Sequence, residues 1–142
     1  MRISTALIDE LVAHACEDAP NECCGMVAAE PGPPARAARV HRAVNAANSP
    51  LRFEVDGREL LRAIDAIEQE GHELGAIYHS HTRTAPYPSQ TDINFAANWP
   101  GVEWIIVGLA GGGSPDVRSY LIDDGRVAEV AIDEVSASEG AA

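Results

Sequence analysis

The chain has 142 residues, ten basic and 22 acidic, and a formal net charge of -12. That length suits one domain with its own core. The charge argues against a nucleic-acid backbone or an acidic membrane surface as partner, because phosphate would be repelled rather than neutralised.

All ten basic residues are Arg, so Schiff-base chemistry and a phosphate-binding loop lysine are excluded. Residues 4 to 19 are predicted to be a helix. Ser4 can cap it, Leu7, Leu11 and Ala15 recur on one face, and Pro20 follows its end. "CCGMVAA" has the apolar run of a buried strand, "PGPPA" is a turn, and "ARVHRAV" alternates like a strand with one wet face, so the three predict a hairpin. The basic cluster Arg36, Arg39, His41 and Arg42 reads as the solvated face of that strand.

After a loop at "NAANSP", "RFEV" is expected to form a short strand. Asp56 then opens a second helix whose apolar stripe is Leu60, Leu61, Ile64 and Ile67, ending before Gly71. "LGAIYHSH" is the next strand. A short helix is expected from near Ser89 to before Pro100, followed by "VEWIIVGLA" as a buried strand. "GGGSPD" and "DDG" are turns into "VRSYLI" and "VAEVAI", which together predict a C-terminal meander. Gly111 to Gly113 lack the strand-to-helix context of a phosphate cradle and read as a hairpin loop. The expected architecture is α/β in the broad sense, a mixed α+β fold with one central mixed sheet flanked by about three helices. A single domain is expected over 1–135, with a frayed tail at 136–142.

Three cysteines, Cys16, Cys23 and Cys24, two of them adjacent, make a poor disulfide framework. "MRISTALIDE" is no signal segment, and no apolar run approaches the roughly 20 residues of a membrane span. A soluble cytoplasmic protein is expected.

The chemistry concentrates in "YHSHTRTAPYPSQTD", residues 78 to 92. On a strand, residues i and i+2 share a face, so His79 and His81 present two imidazoles together while Ser80 points away. Two histidines and a carboxylate, here Asp92, leave a fourth position for water, which is the arrangement of a catalytic zinc. Taken alone, "SQTD" is an ordinary helix cap and His-x-His an ordinary strand end. Their combination across a proline-stiffened loop favours one Zn²⁺ per chain, held by His79, His81 and Asp92. Spacing selects no glutamate as general base. His14, His41 and His72 read as surface or packing residues. Cys23 and Cys24 read as small buried hydrophobes on opposite faces of their strand rather than as nucleophiles.

The pattern H-S-H, seven residues, Ser, two residues, Asp resembles the signature of the JAMM (MPN+) metalloproteases, and "PNECCG" at 20 to 25 is similar to their upstream glutamate segment. The order of elements matches over nearly the whole chain. One departure is Thr82, where many members carry proline, which bears on the loop's shape rather than on the metal chemistry. The resemblance implies that Glu22 is the general base and Ser89 the oxyanion donor. "YHSHT" followed by "APYPS" is similar to the small bacterial branch. That branch implies a peptidase or isopeptidase cleaving after the C-terminal Gly-Gly of a ubiquitin-fold sulfur-carrier protein, releasing cysteine or a short extension. The alternative is a non-catalytic MPN-type scaffold for protein partners. A zinc deaminase is disfavoured by the absence of H-x-E with a later P-C-x-x-C.

Overall fold

The computed structural model describes residues 1–136, so the tail expected at 136–142 lies, except for Ser136, outside the described residues. In chain order the elements are β1 Arg2–Ser4, α1 Thr5–Asp18, β2 Cys24–Glu30, β3 Arg36–Ala43, α2 Gly57–Gln69 and β4 Glu73–His81. There follow α3 Gln90–Ala96, β5 Glu103–Gly108, β6 Asp116–Asp123, β7 Arg126–Val130 and β8 Asp133–Val135. Ser4 caps α1 by accepting from the Leu7 N–H at 3.2 Å, and Asp56 caps α2 by accepting from Arg58 and Glu59.

The strands form one eight-stranded mixed sheet in the order β7-β6-β5-β4-β2-β3-β1-β8. The expected hairpin is the antiparallel β2–β3 pair, and β5, β6 and β7 form the expected meander. Both faces are covered. Leu11 and Ala15 of α1 pack with Cys23, Val27, Tyr78 and Ile105, whereas Ile67 of α2 and Ala96 of α3 pack on the other face with Cys24, Met26, Ile77 and Trp104. Side chains along β4 therefore alternate between two cores. Tyr78 and Ser80 point towards the α1 side, and Ile77, His79 and His81 towards α2 and α3.

β4 and β5 are parallel, with α3 in the connection between them. Parallel strands need such a crossover, and the carboxyl ends they share form a natural crevice. The "SHT" end of β4 and the N-terminus of α3 meet there.

Two expectations fail, and two short strands lie outside them. "RFEV" forms no strand, because the main chain of this stretch bonds to the Asn45 side chain and to Ala46 instead of to a ladder. Leu61 is 66% exposed and lies outside the buried stripe of α2, which Ile67 anchors. β1 and β8 were not expected at all. They are three-residue parallel partners, Arg2 to Asp133 through Ser4 to Val135, too short to carry a period.

Candidate metal centre

His79 lies two residues before the end of β4, between Cys24 of β2 and Ile106 of β5, and its ring is fully inaccessible. Phe53 stacks on it with centroids 4.5 Å apart. His81, two residues on, is the last residue of β4 and still pairs with Gly108 of β5. The Ala85 carbonyl accepts a hydrogen bond from its Nδ1 at 2.9 Å. A carbonyl cannot donate, so the neutral ring carries its proton on Nδ1 and its Nε2 lone pair points inward.

Asp92 is delivered by the first turn of α3. Its main-chain N–H donates to Ser89 Oγ at 3.1 Å, and its Oδ2 accepts from the Ser89 N–H at 2.9 Å. This is a capping box, so the ordinary reading of "SQTD" holds. The same Oδ2 also lies 3.1 Å from His79 Nε2 and 3.3 Å from His81 Nε2, and the two ring nitrogens are 3.1 Å apart. Ligands about 2.0–2.1 Å from a tetrahedral zinc stand about 3.3–3.4 Å from one another, so the triangle fits such an ion. Two imidazoles and a carboxylate brought this close need a proton or a cation among them.

The electrostatics follow from burial. Desolvation pushes the Asp92 carboxyl up, but hydrogen bonds with His79 and His81 outweigh it and hold the group well below the usual carboxylate range. Burial holds His79 below its ordinary value. For His81 the bonds to Asp92 and Ala85 exceed the burial cost, and the net shift is upward.

Glu22 lies two residues ahead of β2, in the loop that leads into it, and is 4% exposed. A carboxylate oxygen of Glu22 lies within 4.8 Å of ring nitrogens of both His79 and His81. Its pKa is pushed up to about 7, by burial first, with His81 opposing and the charge of Asp92 adding. It borders a polar cleft of about 520 Å³ lined also by Asp18, Asn21, Arg42, Asn45 and Asn48. A second cleft of about 330 Å³ opens between Thr84–Pro86 and the loop from Gly108 to Asp116.

Of the residues singled out from the sequence, His79, His81 and Asp92 converge, Glu22 lies within 4.8 Å of both histidine rings, and Ser89 adjoins the group through its bonds to Asp92. Cys23 and Cys24 face opposite cores, and burial pushes both thiols up to about 12, which leaves no thiolate at neutral pH. His14 is a packing residue, with Nδ1 2.7 Å from the buried Tyr78 hydroxyl and Nε2 3.3 Å from Asp18. Arg39 and Arg42 of the basic cluster pair with Glu70 and Glu17 on the surface. Sequence reasoning missed Ala85, Phe53 and Asn45. A carbonyl has no side-chain signature, Phe53 sat in a segment misread as strand, and one asparagine in "NAANSP" looks like any other.

The chain matches the family model described as prokaryotic homologs of the JAB domain over residues 4–123. It is 36% identical over 133 residues to the CysO-cysteine peptidase of Mycobacterium tuberculosis, covering 94% of this chain and 90% of that protein. It is 34% identical over 112 residues to the desampylase of Pyrococcus furiosus, covering 78% and 74%. The solution structure of a protein from Desulfitobacterium hafniense superposes with a TM-score of 0.85 at 30% identity, over 95% of this chain and 92% of the other.

Proposed function

The chain belongs to the prokaryotic JAB-domain family, and on that premise we propose that it is a zinc peptidase or isopeptidase acting on a ubiquitin-fold sulfur-carrier protein. It cleaves after the carrier's C-terminal Gly-Gly and releases cysteine or a short extension. The observation that supports this best is the convergence of His79 Nε2, His81 Nε2 and Asp92 Oδ2 within 3.1–3.3 Å of one another, with Glu22 alongside.

His79, His81 and Asp92 would hold one Zn²⁺. Zinc so held lowers the pKa of water from about 15.7 towards about 7. Glu22 takes the proton of the attacking water and hands it to the departing amine, a task suited to a carboxylate whose pKa burial has raised. Ser89 Oγ already accepts from the Asp92 N–H, so its own proton is left to donate to the developing oxyanion. Asp92 keeps its charge under these conditions, because both histidines favour the ionised form. The cleft that Glu22 borders and the one beside Ala85 leave room for an extended tail, and glycine allows the close backbone approach a narrow groove demands.

The test is to incubate the purified protein with a carrier bearing cysteine on its terminal glycine and to weigh the products. The expected masses are those of the Gly-Gly carrier and free cysteine, formed only before chelation or after zinc is restored. Cleavage that a chelator leaves untouched would overturn the metal reading. Stoichiometric binding without cleavage by the zinc-loaded protein would favour the scaffold.

A further inference from the structure

The geometry points to Asn45 as a positioning residue that sets the place of the Glu22 carboxylate, an inference that rests on Glu22 being the base. Glu22 lies outside every strand and helix, so no ladder fixes its main chain. Both of its backbone groups are instead bonded to the segment after β3. Its N–H donates to the Ser49 carbonyl at 2.9 Å, and its C=O accepts from Asn45 Nδ2 at 3.0 Å.

Asn45 is itself immobilised. Its Nδ2 also faces the carbonyls of Arg52 at 3.0 Å and Ser49 at 3.4 Å, while its Oδ1 accepts from the N–H groups of Ala47 and Glu54, each at 3.0 Å. Two N–H partners and three carbonyl partners fix which end of the amide is which. They also saturate the group, since two donor hydrogens and two lone pairs are all it has. No other residue type repeats this set at the same length. Asp lacks the donor, Ser and Thr lack one arm, and Gln adds a methylene. The side chain is 9% exposed and borders the cleft into which Glu22 faces. Ala46 and Glu54 close the same loop, with the Ala46 N–H donating to the Glu54 carbonyl at 2.8 Å.

A base must stand within a fraction of an ångström of its proton, and a shift of about 1 Å can cost on the order of a hundredfold in rate. Losing Asn45 frees the Glu22 carbonyl and also Arg52 and Glu54, which flank the Phe53 that stacks on His79, but His79, His81 and Asp92 keep their own supports in β4, the Ala85 carbonyl and the α3 cap, and zinc content reads them separately. The loss therefore falls on turnover and spares metal and substrate affinity.

The experiment measures kcat, KM, zinc content and melting temperature of Asn45→Ala, with Asp56→Ala as control. Asp56 caps α2 beyond the same loop by accepting from Arg58 and Glu59, so its loss lowers stability without freeing the Glu22 carbonyl. Asn45→Ala is expected to lower kcat about 10- to 100-fold with KM within about threefold and zinc at full stoichiometry, while Asp56→Ala keeps its kcat. Adding Asn45→Ala to Glu22→Gln is expected to change the residual turnover less than about threefold, because the residue acts through the carboxylate. An unchanged kcat, a loss of zinc in step with activity, or an equal loss in the Glu22→Gln background overturns the proposal. Asn45→Asp serves if the alanine variant does not fold, since it keeps the acceptor for Ala47 and Glu54 and removes the donor. If neither variant folds, Asn45 is a structural requirement only and the proposal falls. Full turnover by Glu22→Gln would remove the base reading itself, whereas an inactive Glu22→Gln beside a fully active Asn45→Ala removes only the positioning role.

Discussion

Asp92 Oδ2 accepts from the Ser89 main chain while facing two imidazoles, so one oxygen closes a helix cap and completes a cluster. Substitutions here separate the two jobs. Asp92→Asn keeps the shape and removes the charge, and zinc affinity should fall by more than about tenfold, read by competition with a chromogenic chelator. Glu22→Gln should retain full zinc and lose about a hundredfold or more in kcat, since the amide cannot take a proton. Ser89→Ala removes the acceptor for the Asp92 N–H as well as the hydroxyl proposed to donate to the oxyanion. The expected cost is about 1 kcal/mol of stability, seen in a urea melt, alongside roughly a hundredfold in rate. At this scale the sequence was most informative where chemistry restricts residue type, as with His79, His81 and Asp92. It was silent on Ala85, whose contribution is a backbone oxygen present at every position.

Elements carry these residues into place, and their packing tolerances set the next prediction. Gly108 ends β5 against the loop that supplies Ala85, and a Cβ there would lie 2.9–3.0 Å from the Pro86 ring. The Tyr120 hydroxyl donates to the Pro86 carbonyl, which ties the loop in place. Gly108→Ala should therefore shift the Ala85 carbonyl away from His81 Nδ1, leaving secondary structure by circular dichroism intact while zinc affinity drops about tenfold. Gly25 is tighter still. An added Cβ would meet Tyr78 Cε1 at 2.4 Å and the His41 carbonyl at 2.5 Å inside the sheet, so Gly25→Ala should cost several kcal/mol, on the order of 2–3, measured as a fall in the urea midpoint.

Element boundaries also show where periodicity stops being a guide. Long strands such as β4 and β5 announce themselves through apolar runs, and α1 and α2 through caps and stripes. "RFEV" has strand composition but lies in a loop whose main chain is captured by the Asn45 amide, a tertiary contact that no window of adjacent residues encodes. β8 exists only because β1 lies beside it.

Over the whole molecule, the pH dependence of stability can be traced to a named group. The carboxyl of Glu22 has a pKa of about 7 when folded, against a reference of 4.5 for the exposed side chain. The folded state therefore binds the proton more tightly, and stability contributed by the protonated form is lost as pH rises from about 4.5 through 7. Replacing the group by Gln removes that loss. Chelated Glu22→Gln should be more stable than the chelated parent at pH 8, by at most about 3 kcal/mol at 1.36 kcal/mol per unit, and the difference should vanish near pH 4. Urea melts at the two pH values check this. Asp92 works in the opposite sense, because its depressed pKa supplies stability that is present above about pH 4 and is lost only as acid protonates it. Surface pairs such as Arg39–Glu70 and Arg42–Glu17 are too exposed to change this balance by more than about 1 kcal/mol each.

Ser80, the residue between the two histidines, faces away from them. Its hydroxyl accepts from the Cys23 N–H at 2.8 Å and its own N–H donates to the Cys23 carbonyl at 3.2 Å. The residue next to Glu22 is thereby bolted to the residue between His79 and His81, and both are fully buried. The spacing between Glu22 and the histidines thus has an anchor in the interior, whereas the second cleft is walled mainly by connecting segments, Thr84 to Pro86 and Ala110 to Ser114. Those segments can change, and with them the conjugate admitted, without disturbing the Cys23–Ser80 pair.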